Sequence, residues 1–103
     1  MTESITIEVR IFATLRELLG VKKFSMTLIR GTTIRELLKK IENQFMNGRD
    51  FLKAVLHPDI PDQVRDYVKF VINGEIILPK KILDFTINTE GDVIAIFPPV
   101  GGG

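Results

Sequence analysis

The 103-residue chain has no cysteine and no tryptophan, and only one histidine and one tyrosine. Without cysteine there is no disulfide framework, no iron–sulfur or thiolate metal site and no cysteine nucleophile. The lone histidine, His57, has no second ligand at metal-like spacing. Beside Pro58 it reads as a surface loop residue, not as a base or a ligand. Charge of neither sign predominates: 14 Lys and Arg stand against 13 Asp and Glu, a formal net charge of +1. That balance argues against nucleic-acid binding, which needs a clustered basic excess. The lysine pairs at 22–23, 39–40 and 80–81 are scattered among acids and read as solvated surface. Apolar runs fall far short of the roughly 20 residues of a membrane span, and Met-Thr-Glu-Ser does not open a signal peptide. No glycine-rich loop joins a strand to a helix in a nucleotide-binding spacing. No Ser, Thr or Lys stands with a recognisable base. The expectation is one small cytoplasmic domain with no metal site, no catalytic residue of its own, and neither membrane nor nucleic acid as partner.

What is present is clear hydrophobic periodicity. Ile5, Ile7, Val9 and Ile11 alternate with polar residues and predict a half-buried strand; Phe24, Met26 and Leu28 predict its antiparallel partner. Ala13 to Gly20 between them predicts a short helical turn ended by glycine. Residues 33–47 predict the main helix. Thr33 and Glu36 form a capping box, Ile34, Leu37, Leu38, Ile41 and Phe45 form one buried stripe, and Asn47-Gly48 supplies the stop. Residues 49–66 are poorly patterned, with a short helix suggested by Phe51, Leu52, Val55 and Leu56. Val68, Phe70 and Ile72, the Asn73-Gly74 hairpin turn, and Ile76 to Leu78 then predict two strands, ended by Pro79. A connection over 80–91 leads into the last strand, 93–97. One long helix must cover one face of the sheet, and the most apolar strands, first and last, belong side by side at its centre. This order fits an α+β roll of the ubiquitin-like, or β-grasp, kind, with a mixed sheet.

The carboxyl end is unusual. From Val93 onward the chain carries no charged side chain, and it finishes Pro98-Pro99-Val100-Gly101-Gly102-Gly103. The prolines stop ladder pairing and direct the chain outward, and the glycines make a thin thread with wide backbone freedom. On composition alone, a frayed terminus or an appended glycine linker has the same features.

Two segments, Ile11-Phe-Ala-Thr-Leu-Arg-Glu-Leu-Leu-Gly20 and Phe97-Pro-Pro-Val-Gly-Gly-Gly103, resemble the MoaD-like sulfur carriers. These are small subunits of molybdopterin synthase, related to the thiamine sulfur carrier and to ubiquitin. The resemblance spans essentially the whole chain, with Asn73-Gly74 at the family's hairpin. A longer 48–67 stretch and a third glycine at 101 depart from the family pattern. It implies a β-grasp domain over 1–97 and a flexible tail over 98–103, with Gly103 as the adenylated and sulfur-carrying residue. An E1-like (MoeB-like) enzyme would use ATP to activate that carboxylate, and sulfur would replace AMP. The synthase large subunit (MoaE-like) would then receive the tail, leaving this chain a non-catalytic small subunit with no permanently bound cofactor. Phe12, Arg16, Val71, Ile76 and Phe97 are the expected partner-binding residues on the sheet face opposite the helix. A ubiquitin-like modifier joined to lysines, a sulfur donor for tRNA, or a plain interaction domain remain the alternatives.

Overall fold

The computed structural model describes residues 3–98; the expected tail from Pro99 to Gly103 therefore lies outside the described residues. Strand β1 (Ser4–Ile11) is followed by helix α1 (Ala13–Leu19), β2 (Lys23–Ile29) and β3 (Thr32–Thr33). Helices α2 (Ile34–Gln44) and α3 (Gly48–Val55) come next, then β4 (Lys69–Ile72) and β5 (Glu75–Ile77). Helix α4 (Pro79–Ile82), β6 (Thr86–Ile87) and β7 (Val93–Phe97) complete the order. Five strands form one mixed sheet in the order β2-β1-β7-β4-β5. Strand β7 runs parallel to β1 and antiparallel to β4. The first and last strands are therefore central and adjacent, as their apolar character predicts, and the architecture is the expected β-grasp.

Period two sorts the sheet cleanly. Ile5, Ile7, Val9, Ile11, Phe70, Ile72, Ile94 and Ile96 are buried beneath the helices. Helix α2 contributes Ile34, Leu37, Leu38 and Ile41 to this core. Its capping box is made: the Glu36 amide donates to Thr33 Oγ1 at 3.2 Å, and the Thr33 amide donates to Glu36 Oε1 at 3.0 Å. Helix α1 ends at Gly20, whose φ of 85° and amide bond to the Arg16 carbonyl make the expected left-handed cap. The Asn73-Gly74 turn has φ of 51° and 86°, the two positive values a primed hairpin turn requires.

The structure differs from the sequence reading in five places. Helix α2 ends at Gln44, because Phe45 turns extended and sets its ring 4.9 Å from that of Phe24. Asn47-Gly48 opens α3 instead of closing α2. Leu78 leaves the strand and becomes the N-cap of α4, with Pro79 at its first turn. The connection over 80–91 contains β6, which pairs with β3 as a two-stranded sheet; two-residue strands are too short to show a period. Pro98, assigned to the tail, is buried and belongs to the domain.

Candidate functional site

The outer face of the sheet carries a continuous strip. Strand registers place Lys23, Arg10, Ala95, Val71 and Ile76 in one row across all five strands. In the next row Phe97 stands opposite Lys69, and the Phe12 ring stacks on Phe97 with centroids 4.2 Å apart and planes 12° from parallel. Arg16 completes the stack: its guanidinium carbon lies 5.7 Å from the Phe12 centroid, and its Nε donates to the Ile11 carbonyl at 3.2 Å. The cation is thus held over the ring, where the quadrupole attracts it.

Parity explains the strip. With Ile11 and Ile96 turned into the core, Phe12 and Phe97 must face the other way. The structure brings Phe12, Arg16 and Phe97 into one stack and places Val71 beside Ile76 as a cross-strand pair. Ile76 is 60% exposed, and so is Leu78 at 61%. Leu78 and Ala95 were not singled out from the sequence, although Ala95 shares the parity of Phe97. The rim is cationic: a shallow depression of about 340 Å³ is lined by Phe12 together with Arg10, Arg16, Lys22 and Lys23. Arg10 also pairs with Glu8.

A polar clamp fixes this face to the start of β7. The side-chain amide of Asn73 donates to Asp92 Oδ1 at 2.8 Å, and the Val93 amide donates to Asn73 Oδ1 at 2.9 Å. The second Asp92 oxygen accepts from the Thr89 amide at 3.3 Å. Asp92 is buried, so these bonds offset its desolvation. Sequence reasoning used Asn73 only as a turn residue and missed its partner; Gly91-Asp92 before an apolar strand was the available signal.

His57 is half-buried, deeper than a solvated loop residue. Its Nδ1 accepts from the amides of Asp59 and Ile60, both at 3.1 Å, which makes it a support for the loop. Among the described residues no group of three or more His, Cys, Asp or Glu is placed to hold a metal, and no helix is long and apolar enough to cross a membrane. The tail residues Pro99, Val100, Gly101, Gly102 and Gly103 lie outside the described residues; the last described residue before them is Pro98, directly after Phe97.

Residues 9–103 match the ThiS family. Small archaeal modifier protein 3 of Haloferax volcanii is 29% identical over 97 residues, covering 94% of this chain and 98% of that protein. The structure is similar to a putative molybdopterin converting factor, subunit 1, from Pyrococcus furiosus, with a TM-score of 0.66 and 26% identity over 93% of this chain and 99% of that one. CysO of Mycobacterium tuberculosis superposes with a TM-score of 0.74 at 23% identity, covering 91% of this chain and 99% of its own, a likeness of fold.

Proposed function

The chain belongs to the ThiS family of ubiquitin-like sulfur carriers and modifiers, and from that premise we propose that it carries sulfur on its own carboxyl end. The Gly103 carboxylate attacks the α-phosphorus of ATP on an E1-like partner, releasing pyrophosphate and leaving an acyl adenylate. A sulfide equivalent supplied by the partner then displaces AMP and leaves a thiocarboxylate. That sulfur passes to a pterin precursor on a molybdopterin-synthase large subunit. ATP is consumed by the activating partner, and the catalytic groups sit on the partners.

The observation that carries this reading is the position of the Phe12–Phe97 stack immediately before the tail. An apolar strip with a cationic rim is a docking surface in its own right. Because Phe97 belongs both to the strip and to the strand that runs into the tail, docking also delivers the tail. Five residues beyond Pro98 span at most roughly 17 Å when extended, so the partner's reacting centre must lie within that reach of the strip's edge. Glycines suit such a passage, since any Cβ would widen the thread.

A second reading is favoured by the similarity to small archaeal modifier protein 3: the same activated carbonyl joined to a lysine of another protein. The test is intact-mass analysis of the chain from its own cells, beside a variant lacking Gly102 and Gly103. The carrier reading expects one oxygen replaced by sulfur in the full chain and none in the truncated one, with thermal unfolding unchanged. Lysines of other proteins carrying this chain's C-terminal segment in isopeptide linkage, without any thiocarboxylate, would favour the modifier. Sulfur loading of the truncated chain would overturn both.

A further inference from the structure

The 48–67 excursion takes no part in the sheet face or in the proposed delivery of the tail. It lies on the helix-covered side of the molecule and forms a trough beside α3. Arg49, Leu52 and Lys53 at i, i+3 and i+4 share one side of that helix, with Leu56 following as its C-cap; Leu52 is itself largely buried, and Phe51 and Val55 are fully buried on the other side. Leu52, Leu56, His57 and Pro58 line an open cleft of about 510 Å³, with Arg49, Lys53 and Arg65 around it and one carboxylate, Glu42, at its edge.

Charge is what distinguishes this trough. Elsewhere on this side the ions are matched within the chain: Arg35 pairs with Asp62 at 2.5 Å and Asp84 at 3.2 Å, and Glu42, the one carboxylate lining the trough, is taken up by Lys39 at 3.5 Å. Arg49, Lys53 and Arg65 are in no ion pair among the described residues. Arg65 is nevertheless fixed, its Nε and Nη2 donating to the Lys53 carbonyl at 3.3 and 3.0 Å and its Nη1 to the Tyr67 hydroxyl at 3.3 Å. Three unneutralised cations around an apolar floor, in a chain of net charge +1, call for an occupant that is both aliphatic and anionic. Arg49 and Lys53 are one turn apart, about 6 Å along the axis, which matches carboxylates one turn apart on a neighbouring helix.

We propose that the trough along α3 docks an acidic amphipathic helix of a partner protein, its aliphatic side chains on Leu52 and Leu56 and its carboxylates on Arg49, Lys53 and Arg65. This is helix-in-groove recognition with charge setting the partner. A second copy of the chain would bring cations against cations. A nucleic-acid backbone would gain nothing from the leucine floor, which only an apolar side chain can cover. The site is on the opposite side from the Phe12–Phe97 strip and does not depend on the carrier reading.

The test is selection of the full chain against a display library of helical peptides. Leucines are fixed at i, i+3, i+4 and i+7, and the flanking positions vary among Glu, Gln and Lys. Enriched peptides are then titrated into isotopically labelled protein. The expected result is enrichment of Glu and saturable shifts at Arg49, Leu52, Lys53, Leu56 and Arg65. Binding should weaken at least tenfold in the folded double variant R49E/K53E. Enrichment of Lys, absence of a charge preference, absence of enrichment, or shifts confined to the Phe12–Phe97 face would each overturn the proposal. So would concentration-dependent shifts at these residues without peptide, which identify a second copy, or tighter binding of an oligonucleotide than of the acidic peptide.

Discussion

Gly48→Ala sets two effects against each other within one methyl group. Gly48 is the first residue of α3, and replacing glycine by alanine in a helix is ordinarily favourable by about 0.5–1 kcal/mol. Here a Cβ on residue 48 would sit 2.6 Å from the Glu42 Cα and 2.7 Å from its carbonyl carbon. Those atoms belong to the backbone of α2 and cannot swing aside as a side-chain tip would. Relief requires moving α3 off α2, which strips contacts from Phe51 and Val55, both fully buried. Overpacking of this kind costs typically 1–3 kcal/mol and occasionally more. A rigid backbone contact belongs at the upper end, so the net loss is about 2 kcal/mol after the propensity gain. For a domain near 100 residues that lowers Tm by roughly 10 °C. Urea and thermal unfolding followed by circular dichroism measure it, with Arg49→Ala next door as a near-neutral control. A Gly48→Ala protein as stable as its parent would refute the reasoning, because the close approach of α2 and α3 would then not govern this position.

Leu38 is 2% exposed, and Leu38→Ala should cost about 2–5 kcal/mol in urea unfolding; a loss below 1 kcal/mol would remove α2 from the core. Phe97→Ala should fold yet lose at least tenfold in affinity for the activating partner, as an aromatic anchor does, and an unchanged affinity would detach the strip from docking. The amide of Thr33, then its hydroxyl, holds the Glu36 carboxyl below the usual range. Its contribution is therefore whole above the ordinary glutamate value and disappears as pH falls through the lower folded one. Glu36→Gln should lower Tm at neutral pH and make no difference well below pH 4; a deficit persisting in acid would contradict this. His57→Asn retains a side-chain acceptor for the amides of Asp59 and Ile60, whereas His57→Ala does not, so amide exchange at those two positions should accelerate in the alanine variant alone.

The elements that could be read from the sequence are those whose pattern is long enough to have a period. Strand β1 shows four alternations, α2 shows three turns of stripe behind its capping box, and Asn73-Gly74 is a turn whose chemistry admits little else. The outer-face residues followed from these by parity, since fixing Ile11 and Ile96 inward orients Phe12 and Phe97. Where the reading stopped, the determinant was not periodic. Gly48 was read as a helix stop because Asn-Gly commonly is one, while its reason for being glycine is the backbone of Glu42, invisible until two helices are packed. The clamp from Asn73 to Asp92 joins positions far apart in the chain, and no local rule links them. His57 does the work of an asparagine in a loop, with a ring nitrogen in place of an amide oxygen.

Strand β7 has a consequence for synthesis. It is the last of the described strands along the chain and yet the central one, flanked by β1 and β4. Until Val93 to Phe97 have emerged from the ribosome, β1 and β4 have no neighbour between them, and the sheet consists of two hairpins with unpaired inner edges. Closing it needs contacts between the two ends of the chain, which are slow to form. A prematurely terminated product therefore fails as a fold, with its apolar faces open to chaperones and proteases. Only a chain translated through its final strand can assemble the Phe12–Phe97 surface. Quality control of the whole polypeptide is thereby tied to the end that would be activated.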